Sequence, residues 1–224
     1  MKQLSKFEIF KITIPAMVGY IPLGIAFGLF GLSFGLDGVL VILTSLLVYA
    51  GSAEFLLVGM ISAHAGLLEV FLAIFLINLR HCFYTMALLD DLKALKFKFY
   101  AIFALTDESF AILKAQNYIK NVQNYDMAVN LTLFLNQIYW VLGVSIGVLI
   151  GKNLKIDYAG IDFSLTALFV VLSYELYRQN KNYKVLLLGF IIGIAGLFIF
   201  SDKFFLMGTL LSATIFLLMF KRWL

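Results

Sequence analysis

Only one cysteine, Cys82, occurs in the 224 residues, so no disulfide can form within the chain, and with two histidines no Cys/His spacing offers a metal site. Charge is equally scarce, at 13% of residues against 62% hydrophobic ones, and the mean hydropathy is +0.98. That apolar surface exceeds what one globular core hides from water, so the solvent must be lipid. Polar stretches long enough for a sizeable soluble domain are missing. So are an HEXXH pattern, a Gly-rich phosphate loop and a serine in an elbow motif near His81, which makes catalysis the weaker hypothesis and calls for no cofactor. The net charge of +4 does not point to nucleic acid, because Lys and Arg stand singly or in small groups beside apolar runs, as membrane-flanking cations do.

What is present is a series of apolar runs at residues 12–35, 39–62, 67–89, 97–113, 128–150, 163–177, 184–200 and 204–220. A spanning helix takes about 20 such residues, so the chain has room for roughly seven or eight spans. The expected fold is all-α: a polytopic transmembrane helical bundle, one integral membrane domain over residues 1–224, with broken or re-entrant helices among its spans. The runs at 97–113 and 163–177 are short and are the ones expected to be broken, tilted or partly spanning. Lys2, Lys6 and Lys11 precede the first run as in a signal peptide, but that run is too long for an h-region and shows no cleavage site, so it reads as a retained span.

With eight crossings and a cytoplasmic N-terminus, the inside holds Lys2, Lys6, Lys11, Lys114, Lys120, Arg178, Lys181, Lys184, Lys221 and Arg222, and the outside holds Lys93, Lys96, Lys98, Lys152, Lys155 and Lys203, a bias of 10 to 6. The Lys93–Lys98 cluster would move inside if one of the first three runs were a re-entrant hairpin, which leaves seven crossings as the alternative.

Four clusters interrupt the apolar runs. In the third run, Asn78, Arg80, His81, Tyr84 and Thr85 fall within roughly 160° of arc at about 100° per residue, a single polar face. Arg80 costs about 2.5–3.5 kcal/mol in a membrane on insertion scales, so it needs an internal partner unless it snorkels to the surface. In the second run, Ala50-Gly51-Ser52-Ala53 precedes Glu54 and Phe55. The small residues permit close approach or local unwinding, and Glu54 must be protonated or paired, with Arg80 the obvious cation. Thr106-Asp107-Glu108-Ser109 reads either as an N-cap with two acids in the first turn or as the middle of a broken membrane helix, where transporter sites form. Asp162 reads as an N-cap at the membrane surface, and Asn136 and Gln137 as interhelical hydrogen-bonders. The spacing Gly24-x3-Gly28 is echoed by Gly143-x3-Gly147, and Ala50-x4-Phe55 loosely by Ser164-x4-Phe169; close helix packing explains the glycines more simply than an internal repeat.

Taken in order, these motifs resemble the AzlC family, the large subunits of two-component branched-chain amino-acid exporters. The likeness runs from Pro15 through Gly24-Ile25-Ala26-Phe27-Gly28, Ala50-Gly51-Ser52-Ala53-Glu54-Phe55, Asn78-Leu79-Arg80-His81 with Tyr84 and Leu105-Thr106-Asp107-Glu108-Ser109-Phe110 to Gly160-Ile161-Asp162-Phe163, and covers roughly residues 12–172. Glu54 departs from it, because the family commonly carries glutamine there.

The resemblance implies a multi-pass permease of the bacterial inner membrane. Such a permease works with a small hydrophobic subunit of the AzlD type and exports valine, leucine, isoleucine or methionine. On that footing Arg80 would hold the substrate carboxylate, Ser52 and Asn78 would add hydrogen bonds, Phe55 and Tyr84 would line the side-chain pocket, and Glu54, Asp107, Glu108 or His81 would take the coupling proton. The competing expectations are a non-transporting membrane scaffold or enzyme, and a transporter of another small solute.

Overall fold

Ser5 starts the first helix earlier than hydropathy does. Its hydroxyl accepts the Glu8 N–H at 3.2 Å while the Glu8 carboxylate accepts the Ser5 N–H at 2.8 Å, a reciprocal cap that nucleates α1, Lys6–Ser33. Thr13, Ala16, Tyr20, Gly24, Phe27 and Gly31, spaced by three and four, form its buried stripe.

The computed structural model describes residues 3–93, 95–115, 122–154, 160, 163, 166, 167, 170, 174, 178, 183–201 and 205–219, which hold helices and no strand. After α1 come α2 (Gly38–Leu47), α3 (Ser52–Ser62), α4 (Leu67–Ala87), α5 (Leu89–Lys93), α6 (Lys98–Phe103), α7 (Asp107–Ala115), α8 (Tyr125–Asn153), α9 (Tyr183–Ile199) and α10 (Phe205–Met219). Three of these, α1, α4 and α8, are long and apolar enough to cross a bilayer, and the chain is a helical membrane protein. Most of the run at 163–177, with Ser164 and Phe169, and Asp162 before it, lie outside the described residues.

The chain forms two compact units. The first comprises residues 1–55 and 78–162, and the crossing of α1 with α8 is its centre. A Cβ on Gly28 would sit 2.5 Å from the Val144 carbonyl oxygen, one on Gly24 2.8 Å from that of Trp140, and one on Gly143 2.6 Å from that of Ile21. The two glycine repeats of the sequence therefore press against each other, backbone on backbone, which is the packing explanation of their spacing. At one edge Lys152 reaches Asp37 at 3.2 Å, tying the α1–α2 turn to the end of α8. Near the start of α8, Asn124 exchanges two hydrogen bonds with the Leu4 backbone.

Two apolar runs break into half-length helices, and both breaks fall in this unit. The fourth, expected to be broken, separates into α6 and α7, with Thr106 Oγ1 capping the Ser109 N–H at 3.3 Å. The second, one apolar run from 39 to 62 whose small residues permit close approach or local unwinding, is broken as well. Tyr49 and Gly51 adopt φ of +46° and +26°, a left-handed conformation through which a right-handed helix cannot run, so α2 ends and α3 starts afresh.

The second unit comprises residues 56–77 and 163–224. Leu56, Met60 and Ala73 form its buried cluster, against which Ala65, Val70, Ile74, Ile77 and Leu210 pack. Here α9 and α10 meet where Gly196 faces Thr209 and Gly208 faces Phe200. On α9, Phe190, Leu197 and Phe198 are exposed, as side chains bathed by lipid are.

Candidate functional site

The polar face of α4 turns inward to the start of two half-helices. Arg80 Nη1 lies 2.7 Å from Asp107 Oδ2, and Nη2 donates to Ser52 Oγ at 2.8 Å. Asp107 opens α7 and Ser52 opens α3, so one guanidinium is held at both breaks. Arg80 does not snorkel: its side chain keeps only 24% of its surface and that of Asp107 26%. Two polar atoms of this group, Arg80 Nε and Asp107 Oδ1, are buried without a hydrogen-bond partner, and so is Asn78 Oδ1 two residues earlier on α4.

The expected Glu54–Arg80 pair is not formed. Glu54 is completely buried, and its Oε1 accepts the Trp140 indole N–H at 3.1 Å and the Ala50 N–H at 2.9 Å. The reason is helical geometry: two residues on a helix are about 200° apart, so with Ser52 facing Arg80, Glu54 faces away from it, toward α8. Asp107 takes the cation instead.

Beside Arg80, Tyr84 stacks on Phe110 with ring centres 4.5 Å apart, and the half-buried His81 meets Tyr84 edge-on at 5.9 Å. Phe55, expected to line a side-chain pocket, packs against Phe27 and Phe30, each at 5.1 Å, and is 1% exposed. Its ring belongs to the core between α1 and α3.

A second polar group adjoins the first through the peptide between Asp107 and Glu108. Glu108, which keeps exposed surface, accepts the Tyr20 hydroxyl at 2.6 Å. Tyr20 also bonds Thr106, Thr106 bonds Ser109 at 3.0 Å, and Asn136 Nδ2 donates to Ser109 Oγ at 2.9 Å. Asn136 is fully buried and its Oδ1 has no hydrogen-bond partner. One residue on, Gln137 donates to the Leu46 carbonyl at 3.2 Å and accepts the Tyr100 hydroxyl at 2.8 Å, joining the end of α2 to α6. Thus Asn136, Gln137 and Trp140 on α8 each hold a piece of a broken helix, and the reading of Asn136 and Gln137 as interhelical hydrogen-bonders is met.

Tyr20, Tyr100 and Trp140 escaped the sequence reading. Tyr20 had a signal, since it falls on the three-and-four stripe with Thr13 and Gly24, where its hydroxyl must meet a partner. Trp140 had none: in a row of apolar residues nothing marks an indole as a donor rather than a packed ring.

Chemically, the first group is suited to an anion. A guanidinium presents a planar fork that matches a carboxylate, and two helix N-termini add positive ends of their dipoles. Asp107 Oδ1 is a free acceptor beside it, suited to a cationic group.

A family profile described as "AzlC protein" matches residues 15–154. An uncharacterized membrane protein of Helicobacter pylori strain J99 is 34% identical over 216 residues, 96% of this chain and 94% of that one. The branched-chain amino acid transport protein AzlC of Bacillus subtilis is 33% identical over 204 residues, 91% of this chain and 80% of that protein. An uncharacterized membrane protein of Haemophilus influenzae is 34% identical over 218 residues, covering 94% and 86%. No solved structure matches the chain.

Proposed function

The chain belongs to the AzlC family, and on that premise we propose that it is the large subunit of a two-component secondary transporter that exports branched-chain amino acids, and methionine with them, by proton antiport. The family carries a membrane-transport role, and the similar Bacillus subtilis protein bears branched-chain amino acid transport in its name. The observation that carries the reading is Arg80, held inside a membrane protein by the first residues of two half-helices, Asp107 at 2.7 Å and Ser52 at 2.8 Å. An intramembrane cation at such a break is where a transporter meets an anionic group of its substrate.

In this mechanism the substrate carboxylate takes the Arg80 fork with help from the Ser52 hydroxyl, and the ammonium goes to Asp107 Oδ1 and Asn78 Oδ1. Tyr84, on its Phe110 stack, offers an apolar wall to the side chain. Binding trades the Arg80–Asp107 bridge for one bridge at each end of a zwitterion. That exchange loosens α7 from α4 and gives the half-helices a reason to move as access alternates. A small hydrophobic subunit of the AzlD type completes the transporter in the bacterial inner membrane, with the N-terminus of this chain in the cytoplasm.

The test is efflux from cells preloaded with labelled leucine, valine, methionine and, as a control, lysine, with this chain expressed alone and with its small partner. Apolar amino-acid efflux should need both chains and collapse with a protonophore. R80Q should abolish it, and R80K should leave little, because an ammonium cannot reproduce the two-armed contact. Normal efflux by R80Q at normal membrane levels would refute the assignment of Arg80; no efflux by the wild-type pair would refute the export reading.

A further inference from the structure

Resting on that reading, we infer that Glu108 is the acid that carries the coupling proton, and that the Tyr20 hydroxyl turns from Glu108 to Thr106 when the proton arrives. The argument is a count of protons. Each of the three hydroxyls has one proton to give, and the pairs are set by the oxygen positions: Glu108 with Tyr20, Tyr20 with Thr106, Thr106 with Ser109, Ser109 with Asn136.

With Glu108 ionised, Tyr20 donates its proton to the carboxylate and Thr106 donates its own to Ser109, as Asn136 Nδ2 also does. The close Tyr20–Thr106 pair then has no proton between its two oxygens. With a proton on Glu108 Oε2, the acid donates to Tyr20, Tyr20 turns to Thr106 and Thr106 keeps its bond to Ser109, so every pair holds one proton. One proton enters at Glu108 and the Tyr20 hydroxyl rotates; no bond other than O–H and hydrogen bonds changes.

Of the other acids, Glu54 has its Oε1 committed to two donors while its Oε2 is buried with no hydroxyl to pass a proton on, and Asp107 is engaged by Arg80. The titratable and charged groups facing Glu108 are Tyr20 from α1, Tyr49 from the α2–α3 break, Arg80 and Tyr84 from α4, and Asp107 beside it. Arg80 and Asp107 offset each other at Glu108 while they are paired. A bound zwitterion adds no net charge, but it puts its ammonium on Asp107, the residue next to Glu108, and its carboxylate on the Arg80 fork. The ammonium favours an ionised Glu108 and a proton on Glu108 disfavours the ammonium, which is the mutual exclusion that antiport requires.

The experiment measures binding of labelled leucine as a function of pH, with the chain and its small partner in lipid nanodiscs. It is coupled to infrared difference spectra of the same samples between neutral and acidic pH. For the wild type, apparent leucine affinity should fall by about tenfold per pH unit once the acid takes its proton, since one proton and one substrate compete. Acidification should also produce the carbonyl stretch of a protonated carboxyl group. E108Q should bind leucine with no such slope and lack that stretch, while Y20F and T106V, which keep the acid but cut the chain, should shift the stretch and spare it. A wild-type slope or an unchanged stretch in E108Q overturns the inference. Absence of leucine binding by the wild type would instead sink the export reading, and the infrared band would still decide whether Glu108 is the acid that titrates.

Discussion

At Glu54 a single carboxylate oxygen, Oε1, accepts both the Ala50 N–H and the Trp140 indole N–H, so α3 asks of this side chain an acceptor and not a charge. The glutamine that the family resemblance leads one to expect has the same oxygen in the same place. E54Q should therefore melt like the wild type in detergent, followed by tryptophan fluorescence, whereas E54A should lose about 1–3 kcal/mol by leaving two buried N–H groups unmet. Equal losses in both variants would mean that the charge matters and the brace does not. Arg80 belongs to the same scale. Its need for an internal partner was legible from its position in an apolar run, but its choice of Asp107 over Glu54 was not, because which acid faces which side depends on where α3 and α7 start.

The elements were legible in unequal measure. Apolar runs of sufficient length became α1, α4 and α8, since hydropathy and helix length are local properties. The break in the fourth run showed itself in the cluster Thr106-Asp107-Glu108-Ser109, a capping residue followed by acids. The break in the second showed as only one of two readings, because small residues suit a helix crossing as well as an unwound turn; the left-handed Tyr49 and Gly51 tell them apart. At the α1–α8 crossing the glycine spacing announced close approach without naming the partner. The expected consequence is sharp contrast between glycines of one helix. G28A places a methyl group 2.5 Å from the Val144 carbonyl, a backbone atom that cannot yield without moving α8, and should cost about 1–3 kcal/mol. G19A, with nothing within 4 Å, should be neutral or slightly stabilising through helix propensity. Thermal stability of the two purified variants decides it; equal behaviour would mean that the crossing is looser than its backbone contacts imply.

For the whole molecule, the Lys and Arg bias of 10 to 6 that eight crossings would give is the ground for the proposed cytoplasmic N-terminus. A protease-sensitive tag there should be protected in intact spheroplasts and cut in inverted vesicles; the reverse result would overturn the orientation. The lipid-bathed character of the chain was determined by composition, since 62% hydrophobic residues cannot be hidden otherwise, its helical class was legible in the apolar runs, and its family in the resemblance of its ordered motifs. Those properties are sums or local patterns, and sums survive without coordinates. What only the tertiary structure decided is which polar groups meet. The Arg80–Asp107 bridge joins residues 27 positions apart in the chain, and the hydroxyl chain joins Tyr20 to residues 86 and 88 positions away. Partners at such distances are chosen by where half-helices begin and by how closely two glycine-faced helices can cross, and neither is written in any short stretch of residues.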